Sequence, residues 1–313
     1  MTVKKVKNLP ASVRQRLANL ARQRGEGFQL VLEQFALERF LYRLSASPVA
    51  ERFLLKGALL FRLWYDQPHR RTRDADLLGF GSADVGDMEK VFKDVCAIAA
   101  EDGIRFDAET VKGEEIREGM AYRGIRIRFF ADLDGARVPV QFDIGFGDAV
   151  VPSPQEVEYP VLLDLPAPVL RVYPKYTVVA EKLEAMVQLG ETNSRSKDFY
   201  DLYILARTLE FDGAILVRAL RATFDRRGTA IPESTPPALT QPFAQSERQR
   251  LLWRAFLRRS ALADGVAPFE SVVGEIASFV LPALDSLREN RAFPRMWPPG
   301  GPWQEASRAA EAD

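Results

Sequence analysis

Two stretches of strict alternation constrain this chain most. From Arg123 to Ala131, the apolar residues Ile125, Ile127 and Phe129 interleave with Arg126 and Arg128, and Val138 to Ile144 alternates likewise. A period of two puts apolar side chains on one face of a strand and polar ones on the other, so both stretches predict strands with one wet face. Phe53–Lys56 is a short apolar run ending at Gly57, and Ala75–Phe80 is another. Between the second run and the alternating strands, Ser82–Ala100 carries Val85, Met88, Val91, Phe92 and Val95 at helical spacing. Residues 53–146 therefore predict a small mixed sheet flanked by helices, an α+β core.

The rest of the chain follows another period. Ala11–Arg24, with Ser12 as its cap, and Phe28–Leu44 have helical spacing, and so do 175–189, 197–209, 212–226, 245–263 and 269–291. Between these halves, residues 151–174 hold Pro152, Pro154, Pro160, Pro166, Pro168 and Pro174, which predicts an extended surface connection. The expected organisation over 313 residues is a first domain at 1–150, a connection at 151–174 and a mainly helical domain at 175–293. A loosely ordered tail is expected at 294–313, where Pro294, Pro298, Pro299, Gly300 and Gly301 crowd together.

Composition narrows the chemistry. The chain has one histidine, His69, and one cysteine, Cys96, so a His/Cys zinc site falls away, and a Cys–His pair or a Ser-His-Asp triad would have to rest on that one histidine. Carboxylate, lysine and arginine chemistry remains, and carboxylates doing catalysis call for a hard cation such as Mg²⁺. His69, in Gln67-Pro68-His69-Arg70, reads better as a solvated loop residue than as a base. With a formal net charge of zero, a nucleic-acid partner would have to be held by local patches. Three basic clusters qualify: residues 1–24, which contain Arg14, Arg16, Arg22 and Arg24 and no acid; Arg70, Arg71 and Arg73; and Arg248, Arg250, Arg254, Arg258 and Arg259. Each alone reads equally as a solvated face. No apolar run approaches the roughly 20 residues of a membrane span, and no apolar segment follows the charged N-terminus, so the expected address is cytoplasmic.

The acids that matter lie at strand positions. In Arg73-Asp74-Ala75-Asp76, carboxylates at i and i+2 share a strand face, a geometry suited to a metal. Gln141-Phe142-Asp143-Ile144 sets a further acid among apolar residues, where it needs a partner. If the two strands are neighbours, Asp74, Asp76 and Asp143 converge, as in metal-assisted phosphoryl transfer. Upstream, Leu55-Lys56-Gly57-Ala58 places a glycine at a strand-to-helix junction, where backbone N–H groups can cradle phosphate.

With these motifs the chain resembles the AbiEii/AbiGii toxin nucleotidyltransferases of the DNA polymerase beta-like superfamily. The resemblance runs from about Ala11 to Leu205. It passes through Phe53-Leu54-Leu55-Lys56-Gly57-Ala58, Thr72-Arg73-Asp74-Ala75-Asp76-Leu77, Gln141-Phe142-Asp143-Ile144-Gly145-Phe146-Gly147-Asp148, Glu181-Lys182-Leu183-Glu184-Ala185-Met186 and Ser196-Lys197-Asp198-Phe199-Tyr200-Asp201-Leu202. It implies transfer of a nucleoside monophosphate from an NTP to an acceptor, with Asp74, Asp76 and Asp143 holding Mg²⁺ or, alternatively, Mn²⁺. Lys56, Gly57 and Ala58 would lie near the triphosphate, Lys182 would contact phosphate, and Asp198 would complete the catalytic set. Without the resemblance, Lys182 reads as a solvated lysine and Asp198 as an acid at a helix start. The superfamily usually has Gly-Gly or Gly-Ser where this chain has Gly57-Ala58, which loses a hydroxyl contact; Arg70 or Arg73 can supply charge-assisted donors instead.

The resemblance further implies the toxin of a toxin–antitoxin pair, a DNA-binding antitoxin as partner, and RNA, above all the tRNA 3′ end, as acceptor. A binding module with decayed catalysis and a protein-modifying transferase are the competing readings.

Overall fold

The computed structural model describes residues 8–65, 70, 72–118, 122–262 and 265–306. His69 and Arg71 lie outside the described residues. The described residues divide into two units, one within Met1–Leu63, Thr72–Gly147 and Gln155–Val172, the other within Trp64–Arg71, Asp148–Pro154 and Tyr173–Asp313.

The first unit opens with helices α1 (Leu9–Arg24) and α2 (Phe28–Ser45). Asn8 rather than Ser12 caps α1, its side chain accepting from the Ala11 N–H at 3.2 Å, so the helix starts earlier than its apolar spacing suggests. Strand β1 (Phe53–Lys56) runs into a 3₁₀ turn and the short α3 (Phe61–Trp64), followed by β2 (Ala75–Gly79) and α4 (Val85–Cys96). The chain continues through β3 (Arg105–Glu118), β4 (Tyr122–Leu133), β5 (Ala136–Phe146), β6 (Gln155–Glu158) and β7 (Val169–Val172). These strands form one mixed sheet in the order β3-β4-β5-β2-β1-β7-β6. Pairing of β2 with β5 is parallel, as is that of β1 with β7, and the other pairs are antiparallel.

Alternation decides what each face does. Ile125, Ile127 and Phe129 of β4 stand opposite Ile144, Phe142 and Val140 of β5, and all six are buried. Phe40 of α2 anchors this layer, its ring 4.8–5.4 Å from those of Phe92, Phe106, Phe129 and Phe142. Such clusters combine large burial with favourable ring geometry. Around it, Arg39 and Arg43 bind the buried Asp102 at 3.0 and 2.6 Å, and Glu38 accepts the Leu162 N–H at 2.7 Å.

Two sequence expectations are corrected here. The segment 151–174 is more than a connection, because β6 and β7 extend the sheet, and Tyr159 donates to the Leu59 carbonyl at 3.2 Å. Prolines flank both strands without entering them, which hid their pattern. Strand β3 was also missed: its register with β4 shifts between Asp107 and Lys112, and a bulge breaks alternation.

The second unit is mainly helical: α5 (Lys175–Leu189), α6 (Ser196–Thr208), β8 (Phe211–Asp212), α7 (Gly213–Arg227), α8 (Gln241–Gln245), α9 (Glu247–Arg259), α10 (Phe269–Arg288), β9 (Arg295–Trp297) and β10 (Gln304–Glu305). The expected loose tail is ordered as far as the described residues reach. Strands β8, β9 and β10 form a small sheet, while Trp297 and Trp303 lie 5.0 and 5.9 Å from Phe279 and donate to the Ala206 and Phe279 carbonyls. Two tryptophans outweigh the local proline and glycine content. Among the described residues no helix is long and apolar enough to cross a membrane.

Candidate active site

Register brings the expected acids to neighbouring positions. Asp76 on β2 pairs with Asp143 on β5, and on its other side with Lys56 on β1. Beyond Asp143 stands Arg126 on β4, and beyond that Glu114 on β3. Directly opposed residues share a face, so Glu114, Arg126, Asp143, Asp76 and Lys56 form one charged row across five strands, on the face opposite the phenylalanine core. Asp74 lies in the bend just before β2, two residues ahead of Asp76, and its charge acts on Arg126.

Each acid is held differently. Asp143, buried, accepts both arms of the Arg126 fork at 2.8 and 2.6 Å and a third bond from Gln141 at 3.2 Å. Those bonds to Asp143 raise the Arg126 pKa against some desolvation, with Asp143, Glu114 and Asp74 adding charge, so the guanidinium is a fixed cation. Asp74 accepts from the Thr72 hydroxyl at 2.7 Å. Asp76 lies against Gly57, where φ is +75° and an added Cβ would collide with the Asp76 carboxylate. Here glycine answers both a backbone conformation and a close approach. Lys56 is buried beside it, and Ala58 follows in the 3₁₀ turn.

A cavity of about 940 Å³ opens beside Asp74, with Arg73, Lys112, Arg128 and Gln141 among its lining residues. It exists because β5 starts at Ala136, whereas β2 starts at Ala75 opposite Phe142, so the first turns of the β4–β5 ladder have no β2 beside them. Arg73 itself is largely exposed and sits 3.4 Å from Glu33.

Lys182 and Asp198 meet in the helical unit. The Lys182 ammonium, on α5, contacts Asp198 and Asp201 of α6 at 2.8 Å each, and Arg70 grips Asp201 through two bonds of 2.8 and 3.0 Å. Burial disfavours the charged ammonium, but Asp198 and then Asp201 outweigh it, and the Lys182 pKa is raised. On the other side of α5, Glu184 accepts from Arg227 at 2.8 Å and from the Thr229 hydroxyl, while Asp148 accepts from Arg227 at 3.0 Å. Sequence reasoning did not find Arg126, Thr72 or Asp201 as partners. Arg126 was visible only as a wet-face residue of an alternating strand.

Among the described residues, no group of three or more His, Cys, Asp or Glu side chains is gathered as a metal cluster. The donor chemistry of Asp74, Asp76 and Asp143 nevertheless fits a hard cation: all three are carboxylates, Asp76 and Asp143 are register partners, and Asp74 lies two residues ahead of Asp76.

A family model described as nucleotidyl transferase AbiEii toxin, type IV TA system, matches residues 39–275. No curated protein matches the chain. Among solved structures, a protein of H. pylori assigned as a nucleotidyltransferase aligns at a TM-score of 0.50 and 15% identity, over 85% of this chain and 99% of that one. JHP933 from Helicobacter pylori aligns at 0.49 and 15% identity, over 84% and 94%. At this identity the first likeness speaks for the fold alone.

Proposed function

Because this chain belongs to the AbiEii nucleotidyl transferase toxin family of type IV toxin–antitoxin systems, we propose that it transfers a nucleoside monophosphate from an NTP to an RNA acceptor, with the tRNA 3′ end as the first candidate. Family membership itself makes it a nucleotidyltransferase with an antitoxin partner. The observation that carries the reading is the β2–β5 register, which sets Asp76 beside Asp143, with Asp74 two residues ahead of Asp76 and a substrate-sized cavity next to Asp74.

In this reading Asp74, Asp76 and Asp143 hold Mg²⁺ or Mn²⁺. When bound, the ion lowers the pKa of the attacking hydroxyl and neutralises phosphate charge. The acceptor oxygen forms a bond to the α-phosphorus, the bond from that phosphorus to its bridging oxygen breaks, and pyrophosphate leaves with the electron pair. Asp143, with both oxygens accepting from Arg126, acts as an oriented ligand rather than as the proton acceptor. The hydroxyl proton passes to water or to Asp74. Lys56 and the turn at Gly57-Ala58 face the triphosphate side of Asp76, and Lys56 offsets the charge of the leaving pyrophosphate. Lys182 is a further phosphate contact and Asp198 its positioning partner. Exposed Arg16, Arg22 and Arg24 on α1 supply charge for an RNA backbone.

The test is incubation with Mg²⁺, total tRNA and each α-labelled NTP, followed by RNA and protein gels. Label should appear on RNA and fall roughly a thousandfold in Asp76→Asn, since such charge stabilisation is worth several kcal/mol. Label on protein alone would replace the acceptor, and equal labelling by the variant would end the assignment of Asp76.

A further inference from the structure

Helix α9 carries a cationic face that the transfer chemistry does not use. Its 13 residues begin at the capping Ser246, whose hydroxyl accepts from the Gln249 N–H at 3.3 Å. One side is buried: Gln249 donates to the Asn193 carbonyl at 2.8 Å, and Trp253 packs at 5.3 Å from Phe269 and 5.5 Å from Phe256. With that side fixed inward, Arg248, Arg254, Arg258 and Arg259 are held outward and all four are exposed. Among the described residues the ion pair on this helix joins Arg250 to Glu270; the four outward arginines have none. At 1.5 Å per residue, Arg248 and Arg258 are about 15 Å apart along the axis.

Four exposed arginines without an ion pair among the described residues stand on this one helix, in a chain whose formal charge is zero. Like charges repel, and isolated helices lose a few tenths of a kcal/mol for each such pair. The face also lacks the makings of a protein interface. Interfaces bury an apolar and aromatic centre, whereas here the large apolar side chain that is exposed is Leu251 alone. Phosphate suits it better: a guanidinium binds phosphate through two parallel donors, and a backbone presents several phosphates within 15 Å.

We propose that α9 is a second RNA contact, in which Arg248, Arg254, Arg258 and Arg259 hold the phosphate backbone of the acceptor. This rests on the reading that the acceptor is RNA. The face reads charge and not sequence, so it sets affinity for a long acceptor without altering chemistry on a short one.

The test compares the full chain with R254Q/R258Q, with the fourfold Gln variant, and with K90Q/K93Q/R105Q as a control removing charge elsewhere. Binding of labelled tRNA is measured from 50 to 300 mM KCl, beside transfer to tRNA and to a short oligonucleotide of its 3′ end. Each arginine that meets a phosphate should lower the salt slope by about 0.7–0.9. The fourfold variant should bind tRNA roughly tenfold or more weakly at 150 mM while keeping transfer to the oligonucleotide. An unchanged slope, or an equal loss in the control, would overturn the proposal. So would retained RNA binding with loss of antitoxin binding, which would make the face a site for an acidic protein. The binding arm judges α9 even if no transfer to RNA occurs, so this proposal and the transferase reading fail separately.

Discussion

Lys56 and Lys182 stand in opposite kinds of charge arrangement. Lys56 belongs to a row laid out by strand register, in which Arg126, Asp143, Asp76 and Lys56 are each carried by a separate strand of a rigid sheet. Lys182 belongs to a knot closed by its own ion pairs, with Asp198, Asp201 and Arg70 around it and Asp201 almost wholly buried. In the row, backbone hydrogen bonds between strands fix the positions, whatever the side chains hold. In the knot, the side chains themselves do the fixing. The lesson is that an acid can matter to activity through either route, and a loss of activity alone does not separate them.

The largest expected effect separates them directly. Asp201→Ala removes the buried carboxylate shared by Lys182 and Arg70 and leaves Lys182 with Asp198, which should cost about 3 kcal/mol of stability, the lower end for a broken buried pair. Urea unfolding would read it, and Asp76→Asn, inactive as it should be, ought to leave the midpoint near that of the wild type. If Asp201→Ala proved as stable as wild type, the knot would have no structural role and the contrast would collapse.

Next comes a carboxyl in the sheet unit that behaves like neither. Burial pushes Glu38 from 4.5 up to about 7, against the Leu162 N–H, Arg62 and Arg39, which pull it down. Its pKa in the folded state thus lies above the unfolded value, so the stabilisation is fully present below about pH 4.5 and is lost as pH rises to 7. At about 1.4 kcal/mol per pH unit this is up to about 3 kcal/mol. Urea midpoints from pH 5 to 8 should fall with a slope that Glu38→Gln flattens; an identical slope in both proteins would remove Glu38 as the cause.

Smallest in energy and sharpest in location is Gly57→Ala. A non-glycine residue at φ +75° costs about 1–2 kcal/mol, and the new methyl must displace the Asp76 carboxylate. Transfer should drop roughly ten- to a hundredfold, more than the lost stability explains. Activity at the wild-type level would mean that the approach of Gly57 to Asp76 has no part in the site.

How far the sequence discloses this arrangement depends on range. Asp74, Asp76 and Asp143 are legible because each sits in a short local pattern, and α5 and α10 because their periodicity is long. Adjacency of β2 and β5 is not local: Asp143 lies 67 positions after Asp76, and parallel register carries no sequence mark. Arg126 meets Asp143 across the local β4–β5 hairpin, whose Asp134-Gly135 turn is a readable signal, yet alternation alone assigned it only to a wet face. Lys182 emerged through family resemblance alone, since a lysine on a helix looks the same whether it meets water or two carboxylates. The strands β6 and β7 and the Trp297–Trp303 cluster were hidden because proline and glycine dominate local pattern while distant packing decides the outcome.

One feature of the strand order bears on how the protein is made. Strand β1, with Lys56, is hydrogen-bonded in parallel to β7, whose Val172 pairs with Leu55. At ribosomal speeds of about 5–20 residues per second, the segment bearing Lys56 waits roughly 6–24 s for that neighbour to be synthesised. Throughout the wait its β7-side edge is unsatisfied, an invitation to aggregation or to a chaperone. A nascent chain halted before residue 169 carries Asp74, Asp76 and Asp143 but lacks the strand that pairs with β1 on its far side.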